Sequence, residues 1–282
     1  MQPNRTYLGS NSLIKPLSRR TGNLWPENNC RTESLVTVPG MYLRSPVPAM
    51  PVKAYDVMRL QLQFDGLLGT HKDFRTIVHR LRGAGLGVVV VGGWARDVLV
   101  GRVPHDIDMV VTGAGNKPFE DILPPAARRT ALGGLAFEFG ELEVDLWPLE
   151  TTYLLRQFSL KPSLEVLMRV IDFNINAILF TPEHFAREPG AVEAGMLNAF
   201  ERCEIDFNCG VLALPVAQVS RLAYFAAKLG LALSPRVKGF MHQQCIEREL
   251  HAEVEENLRQ YCPVQYREAA IDTLDSVIYG RN

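Results

Sequence analysis

Apolar residues recur at helical spacing over Ala54 to Leu68 and again over Asp73 to Leu81. Val57, Leu60, Leu62, Leu67 and Leu68 supply the face of the first predicted helix, and Phe74, Ile77, Val78 and Leu81 that of the second. The cluster Gly83-Ala84-Gly85-Leu86-Gly87 ends this pattern, and four consecutive valines, Val88 to Val91, replace it. A short β-branched run bounded by glycines predicts a buried strand. Gly92-Gly93 leads into a helix-compatible stretch, Trp94 to Val100, and a turn at Gly101 to Pro104 opens a second strand, His105 to Val111. On that strand residues two apart point the same way, so Asp106 and Asp108 share one face while Ile107, Met109 and Val111 face the core. Further on, Phe119 to Arg129 is expected to be helical. Leu135 to Phe139 and Leu142 to Trp147 form a hairpin across Gly140, with Glu143 and Asp145 on one face. Leu164 to Arg169 and the acidic stretch Glu247 to Glu256, with Leu250 and Val254 four apart, complete the predicted helices.

The pattern divides the chain into three. Residues 1–50 lack periodicity and carry six basic side chains against two acidic ones, an excess of four. They read as a loosely ordered extension, the alternative being a basic arm that meets RNA backbone. Residues 51–185 hold the alternating strands and helices, and residues 186–282 read as a mainly helical region with ten basic and thirteen acidic residues. Among 282 residues, 47% are hydrophobic and the formal net charge is −1, which predicts a soluble globule without a global attraction for nucleic acid. No apolar run reaches bilayer-spanning length and no signal-peptide core is evident. The five scattered cysteines form no C-x-x-C pair, so neither zinc nor a disulfide framework is indicated and a reducing cytoplasm is the expected compartment.

Chemistry concentrates between Gly92 and Asp108. Glycines between a strand and a helix allow close backbone approach to an anion. Two carboxylates on one strand face resist joint ionisation unless a cation sits between them, and carboxylate oxygens suit Mg²⁺ held together with phosphate. The cluster before the valine strand matches neither a Walker loop nor G-x-G-x-x-G. The run Gly92-Gly93-x-x-Arg96-Asp97-x-x-x-Gly101, then Asp106-x-Asp108, resembles the signature of the tRNA CCA-adding enzymes and bacterial poly(A) polymerases (class II, within the polymerase-β-like nucleotidyltransferases). A second stretch, Asp172-Phe173-Asn174-Ile175-Asn176-Ala177, resembles that family's R-R-D-F-T-I-N-A motif, with Val170-Ile171 in place of the two arginines. A third, Arg221 to Gly230, is similar to the helix after the family's head domain.

The resemblance implies an α+β fold: a nucleotidyltransferase head domain, with a small mixed sheet flanked by helices, followed by an all-helical C-terminal region. It implies a Mg²⁺-dependent enzyme moving a nucleoside monophosphate from an NTP to a hydroxyl, an RNA 3′ end first among acceptors. Asp106 and Asp108 would hold the metal, with Asp145 as third carboxylate and Glu143 in reserve. Gly92, Gly93 and Arg96 would hold the triphosphate, with Arg96-Asp97 read equally well as a structural ion pair. Asp172, Asn176 and Arg221 would position the nucleotide. His105 is expected to be an exposed turn residue, a phosphate contact being the alternative. One departure stands out. Where the family reads bases with E-D-x-x-R, this chain has Leu214-Pro215-x-x-Gln218, which cannot reproduce an Asp/Arg donor and acceptor pair. Transfer to a small molecule or protein, and a non-catalytic nucleotide-binding module, are the competing readings.

Overall fold

The computed structural model describes residues 35–37, 49–115, 119–124, 128–130 and 134–280. The strands are β1 Leu35–Thr37, β2 Met50–Pro51, β3 Gly87–Val91, β4 Asp106–Thr112, β5 Arg128–Arg129, β6 Leu135–Phe139, β7 Leu142–Pro148, β8 Ile178–Thr181, β9 Gly190–Glu193, β10 Glu204–Ile205, β11 Val211–Ala213 and β12 Ala232–Leu233. The α-helices are α1 Ala54–Thr70, α2 Lys72–Gly83, α3 Gly93–Leu99, α4 Tyr153–Gln157, α5 Leu164–Val170, α6 Met196–Glu201, α7 Pro215–Leu229, α8 Pro235–His242, α9 His251–Tyr261 and α10 Val264–Tyr279. Eight strands form one sheet in the order β2-β9-β8-β3-β4-β7-β6-β5. Its neighbours are antiparallel except β4 and β7, which run parallel with Asp106 opposite Glu143 and Asp108 opposite Asp145.

Period-two alternation sends the side chains of the central strands to two sides of the sheet. Val88, Val90, Ile107, Met109, Val111, Val144 and Leu146 pack under α1, α2 and α3. Phe64 sits at the centre there, its ring 5.7 Å from Phe74, 6.2 Å from Trp94 and 6.4 Å from Phe180. On the opposite face Val89, Val110 and Leu179 meet Leu149, Leu155, Leu167 and Met168, so α4 and α5 cover part of that side. A third core lies among α7, α8, α9 and α10, and Phe173 and Ile175 reach into it from the segment before β8.

The fold is the expected α+β arrangement, with several local corrections. Leu62 is two-thirds exposed; the buried face of α1 is Val57, Leu60, Gln61, Phe64 and Leu68. At 100° per residue Leu62 falls across the helix from Leu60 and Phe64, despite its hydrophobicity. The helix expected over Phe119 to Arg129 is a 3₁₀ turn at Phe119–Ile122 followed by β5. Pro124-Pro125 explains this, since proline lacks an N–H and bars its predecessor from helical geometry. Residues 251–261 form α9 alone: the predicted helix from Glu247 is broken where Glu249 takes φ 56°. The sheet also extends past residue 185, because β9 pairs with β8, and short strands β10 to β12 interrupt the helical C-terminal region. Most of the expected N-terminal extension lies outside the described residues; within it, β1 pairs with β11 and Met50 with Glu193. Among the described residues no helix is long and apolar enough to cross a membrane.

Candidate functional site

The Gly92-Gly93 turn joins β3 to α3. Gly92 adopts φ 67° and ψ −115°, a conformation open to glycine and costly to any residue with a Cβ. Its carbonyl accepts from Arg96 N at 3.1 Å, and its own N–H donates to the Ile178 carbonyl at 3.0 Å. The Gly92 N–H therefore ties the turn to β8.

Beside this turn the parallel register of β4 and β7 brings four acids onto one sheet face: Asp106 beside Glu143, and Asp108 beside Asp145. Burial pushes the Asp108 carboxyl well above the usual range, Asp145 and then Asp106 push it further, and Arg221 and Arg96 offset this only in part. Among the neighbouring charges, that of Asp145 on β7 bears most strongly on Asp108. His105 is exposed, and its carbonyl accepts from Glu143 N at 3.1 Å.

A chain of polar contacts runs from α3 through the segment before β8 to α7. Arg96, 2% exposed, donates from Nε to Asp97 Oδ1 at 2.7 Å and from Nη1 to Asn176 Oδ1 at 2.5 Å. Asn176 Nδ2 donates to Asp172 Oδ1 at 3.3 Å, and Arg221 Nη1 donates to Asp172 Oδ2. Asp97 Oδ2 accepts from Lys228 Nζ at 2.8 Å. Burial alone would raise the Asp97 carboxyl, but Arg96 and Lys228 outweigh it and hold it below the ordinary value. The Arg96-Asp97 pair is therefore built into the structure, and the Arg96 guanidinium faces Asn176 and Asp97. Phe225 packs between the two arginines, with Arg96 and Arg221 guanidinium carbons 5.2 and 5.5 Å from its ring centroid. Burial raises the pKa of the Tyr224 phenol, with a further push from Asp106, so it stays protonated.

This network brings Gly92, Arg96, Asp97, Asp172, Asn176 and Arg221 together beside the β4 carboxylates. The sequence reading missed Lys228. Its signal was available: Arg221, Phe225 and Lys228 are spaced i, i+4 and i+7, one face of a helix. A separate group, Asp65, Glu183 and His184, has ligand atoms within 4.8 Å of one another. It lies by α1 on the other side of the sheet, Phe64 being 5.8 Å from the His184 ring. Asp65 Oδ1 already accepts from Gln61 Nε2 at 2.8 Å and stands 3.9 Å from His184 Nε2.

No protein-family profile matches the chain, and no curated protein sequence matches it. Solved structures do. A CCA-adding enzyme with ATP superposes with TM-score 0.56 at 17% identity, over 81% of this chain and 55% of that one. The Thermotoga maritima CCA-adding enzyme complexed with tRNA gives 0.55 at 17% identity, over 81% and 54%. A CCA-adding enzyme with CTP gives 0.55 at 17% identity, over 83% and 57%. The chain has the fold of the CCA-adding enzymes. It spans a little over half the length of those structures.

Leu214 takes φ 57° before Pro215 opens α7, and Gln218 Oε1 accepts from Arg221 Nη1 at 3.5 Å.

Proposed function

We propose that this protein is a Mg²⁺-dependent nucleotidyltransferase that moves a nucleoside monophosphate from an NTP to a hydroxyl, with an RNA 3′ end as the preferred acceptor. The observation that carries the reading is the register of β4 and β7, which sets Asp108 against Asp145 with Asp106 two residues away on the same face. The donor set fits a hard cation. It consists of carboxylate oxygens alone, and the push on Asp108 from burial and from its acidic neighbours is the push a cation relieves. Asp106, Asp108 and Asp145 are the residues we assign to hold it. Bound there, the metal supplies charge stabilisation for the attacking and leaving oxygens of an in-line displacement at phosphorus.

The chain's own residues do the rest. Asp172 and Asn176, fixed by Arg221 and Arg96, position the ribose and phosphates. Arg221 lowers the Asp108 carboxyl and so brings positive potential toward the site, suited to a polyanionic nucleotide. Arg96 acts behind Asn176, with Nε on Asp97 and Nη1 on the Asn176 amide oxygen. Gly93 opens α3 beside the Arg96 guanidinium, where the absence of a Cβ leaves the backbone accessible to a ligand.

A second reading, transfer to a small molecule or a protein, is favoured by Leu214-Pro215 and Gln218. They lack the charged donor and acceptor pair that selects a base.

The test offers each α-labelled NTP with Mg²⁺ to total RNA, purified proteins or a metabolite extract, beside an Asp106→Ala/Asp108→Ala variant. Label in RNA that vanishes in the variant supports the proposal. Label in protein or a metabolite moves the acceptor to the second reading. No label above the variant with any acceptor sinks enzymatic transfer and leaves a nucleotide-binding role.

A further inference from the structure

We infer that Lys228 is a positioning residue of the nucleotide site: acting from α7 through Asp97 and Arg96, it sets the direction in which the Asn176 amide points. The inference rests on the proposed function for the meaning of that site, and on geometry for the coupling itself.

Lys228 comes from the helical region and Asp97 from α3, 131 residues earlier, yet Nζ lies 2.8 Å from Oδ2 of a carboxylate that is 2% exposed. The other oxygen, Oδ1, takes Arg96 Nε at 2.7 Å. Each carboxylate oxygen thus has its own cationic partner, and the arginine meets Asp97 through Nε. That geometry leaves Nη1 to reach Asn176 Oδ1 at 2.5 Å. Because a guanidinium only donates, the amide must turn its oxygen toward Arg96 and its Nδ2 toward Asp172. Lys228 is the outer member of this series, 16% exposed along a stem that lies by the Tyr224 ring, with Nζ 5.9 Å from its centroid.

Removing the ammonium leaves Asp97 Oδ2 buried with its cationic partner gone. The nearest remedy is rotation of the carboxylate to take Arg96 side-on through two parallel bonds, the geometry guanidinium and carboxylate favour. That rotation draws Nη1 from Asn176 and frees the amide to turn. The defect therefore appears in nucleotide binding more than in the chemical step.

The experiment compares the wild type with Lys228→Met, which keeps the stem, and Lys228→Arg, which keeps the charge. Hydrogen exchange is followed over residues 172–177, and KM and kcat for the best NTP are measured on the same samples. In Lys228→Met we expect faster exchange in 172–177, unchanged exchange in β4 and α9, and a KM raised about tenfold with kcat within about threefold. That is the scale on which residues orienting a binding group act. Lys228→Arg should return both readouts to within about threefold of wild type. Unchanged exchange in 172–177, or faster exchange spread evenly over the chain, overturns the inference, since the lysine is then unconnected or merely structural glue. Unchanged KM beside a local exchange effect overturns its bearing on the nucleotide. If the wild type transfers no nucleotide, the proposed function fails, and exchange together with ATP binding by calorimetry still decides the coupling.

Discussion

Adjacent glycines of one motif should respond to alanine with opposite signs. Gly92 holds φ 67° with ψ −115°, whereas Gly93 is the first residue of α3 and has no positive φ. A Cβ on Gly92 would sit 3.5 Å from the Asn176 carbonyl oxygen and 3.7 Å from its Cβ, ordinary contact distances, so space is not the obstacle. The obstacle is backbone strain, worth about 1–3 kcal/mol for a residue forced into a sparsely populated region. A Cβ on Gly93 would meet Arg96 Nη2 at 3.6 Å, again an ordinary contact, on a helical backbone that alanine favours by up to ~1 kcal/mol. Urea unfolding at pH 7.5 should therefore show Gly92→Ala less stable by about 1–3 kcal/mol. Gly93→Ala should fall between neutral and about 1 kcal/mol more stable. The activities should not follow the stabilities. Gly93→Ala places a methyl group where a phosphate is proposed to approach, so its KM for the nucleotide should rise although the fold is intact. A Gly93→Ala protein as destabilised as Gly92→Ala, or a Gly92→Ala protein of unchanged stability, would refute the conformational argument.

Three further outcomes are expected. Asp108 has a folded pKa raised above 3.8, so its ionisation disfavours the metal-free fold as pH climbs past that value; Asp108→Asn should melt higher at pH 7 without metal, lose that advantage below pH 3.8, and no longer be stabilised by added Mg²⁺ in calorimetry. Asp145→Asn should lower kcat by roughly two to three orders of magnitude while Glu143→Gln stays within about fivefold, measured as labelled product per enzyme; the reverse ranking would exchange their roles. Asp97 has a depressed folded pKa, so its stabilisation is complete above 3.8 and lost as pH falls below it through the folded value. Asp97→Asn should cost about 3–5 kcal/mol at pH 7, by leaving Arg96 and Lys228 against a neutral side chain, and should flatten the acid limb of a urea stability series.

Much of the site was legible because it obeys short periods. Four valines, a glycine turn and an alternating D-x-D strand each specify their own geometry, and Asp106 and Asp108 stand on one face as alternation requires. The choice between Asp145 and Glu143 was not legible. Both lie on the same face of β7, and the inter-strand register, a property of two distant segments, sets Glu143 against Asp106 and Asp145 against Asp108. Arg96 was ambiguous for a similar reason: its partner Asn176 is 80 residues away. Leu62 misled because hydrophobicity was weighed before angular position, and Glu249 because a left-handed glutamate carries no compositional mark. Lys228 shows a different limit, in which helical spacing marks the face but not what it meets.

The pairing of β4 with β7 also bears on when the site comes into being. A parallel neighbour cannot be reached by a tight turn, so the chain must complete β5 and β6 before β7 can lie beside β4. During synthesis Asp106 and Asp108 leave the ribosome well ahead of Asp145, and until β7 is laid down they stand at the margin of an incomplete sheet. Closure of that long loop is an entropically slow event, the kind that sets folding speed in proteins dominated by distant contacts. The juxtaposition of Asp106 and Asp108 with the acids of β7 therefore waits for that strand, and a nascent or truncated chain ending before Leu142 carries the D-x-D strand without those neighbours.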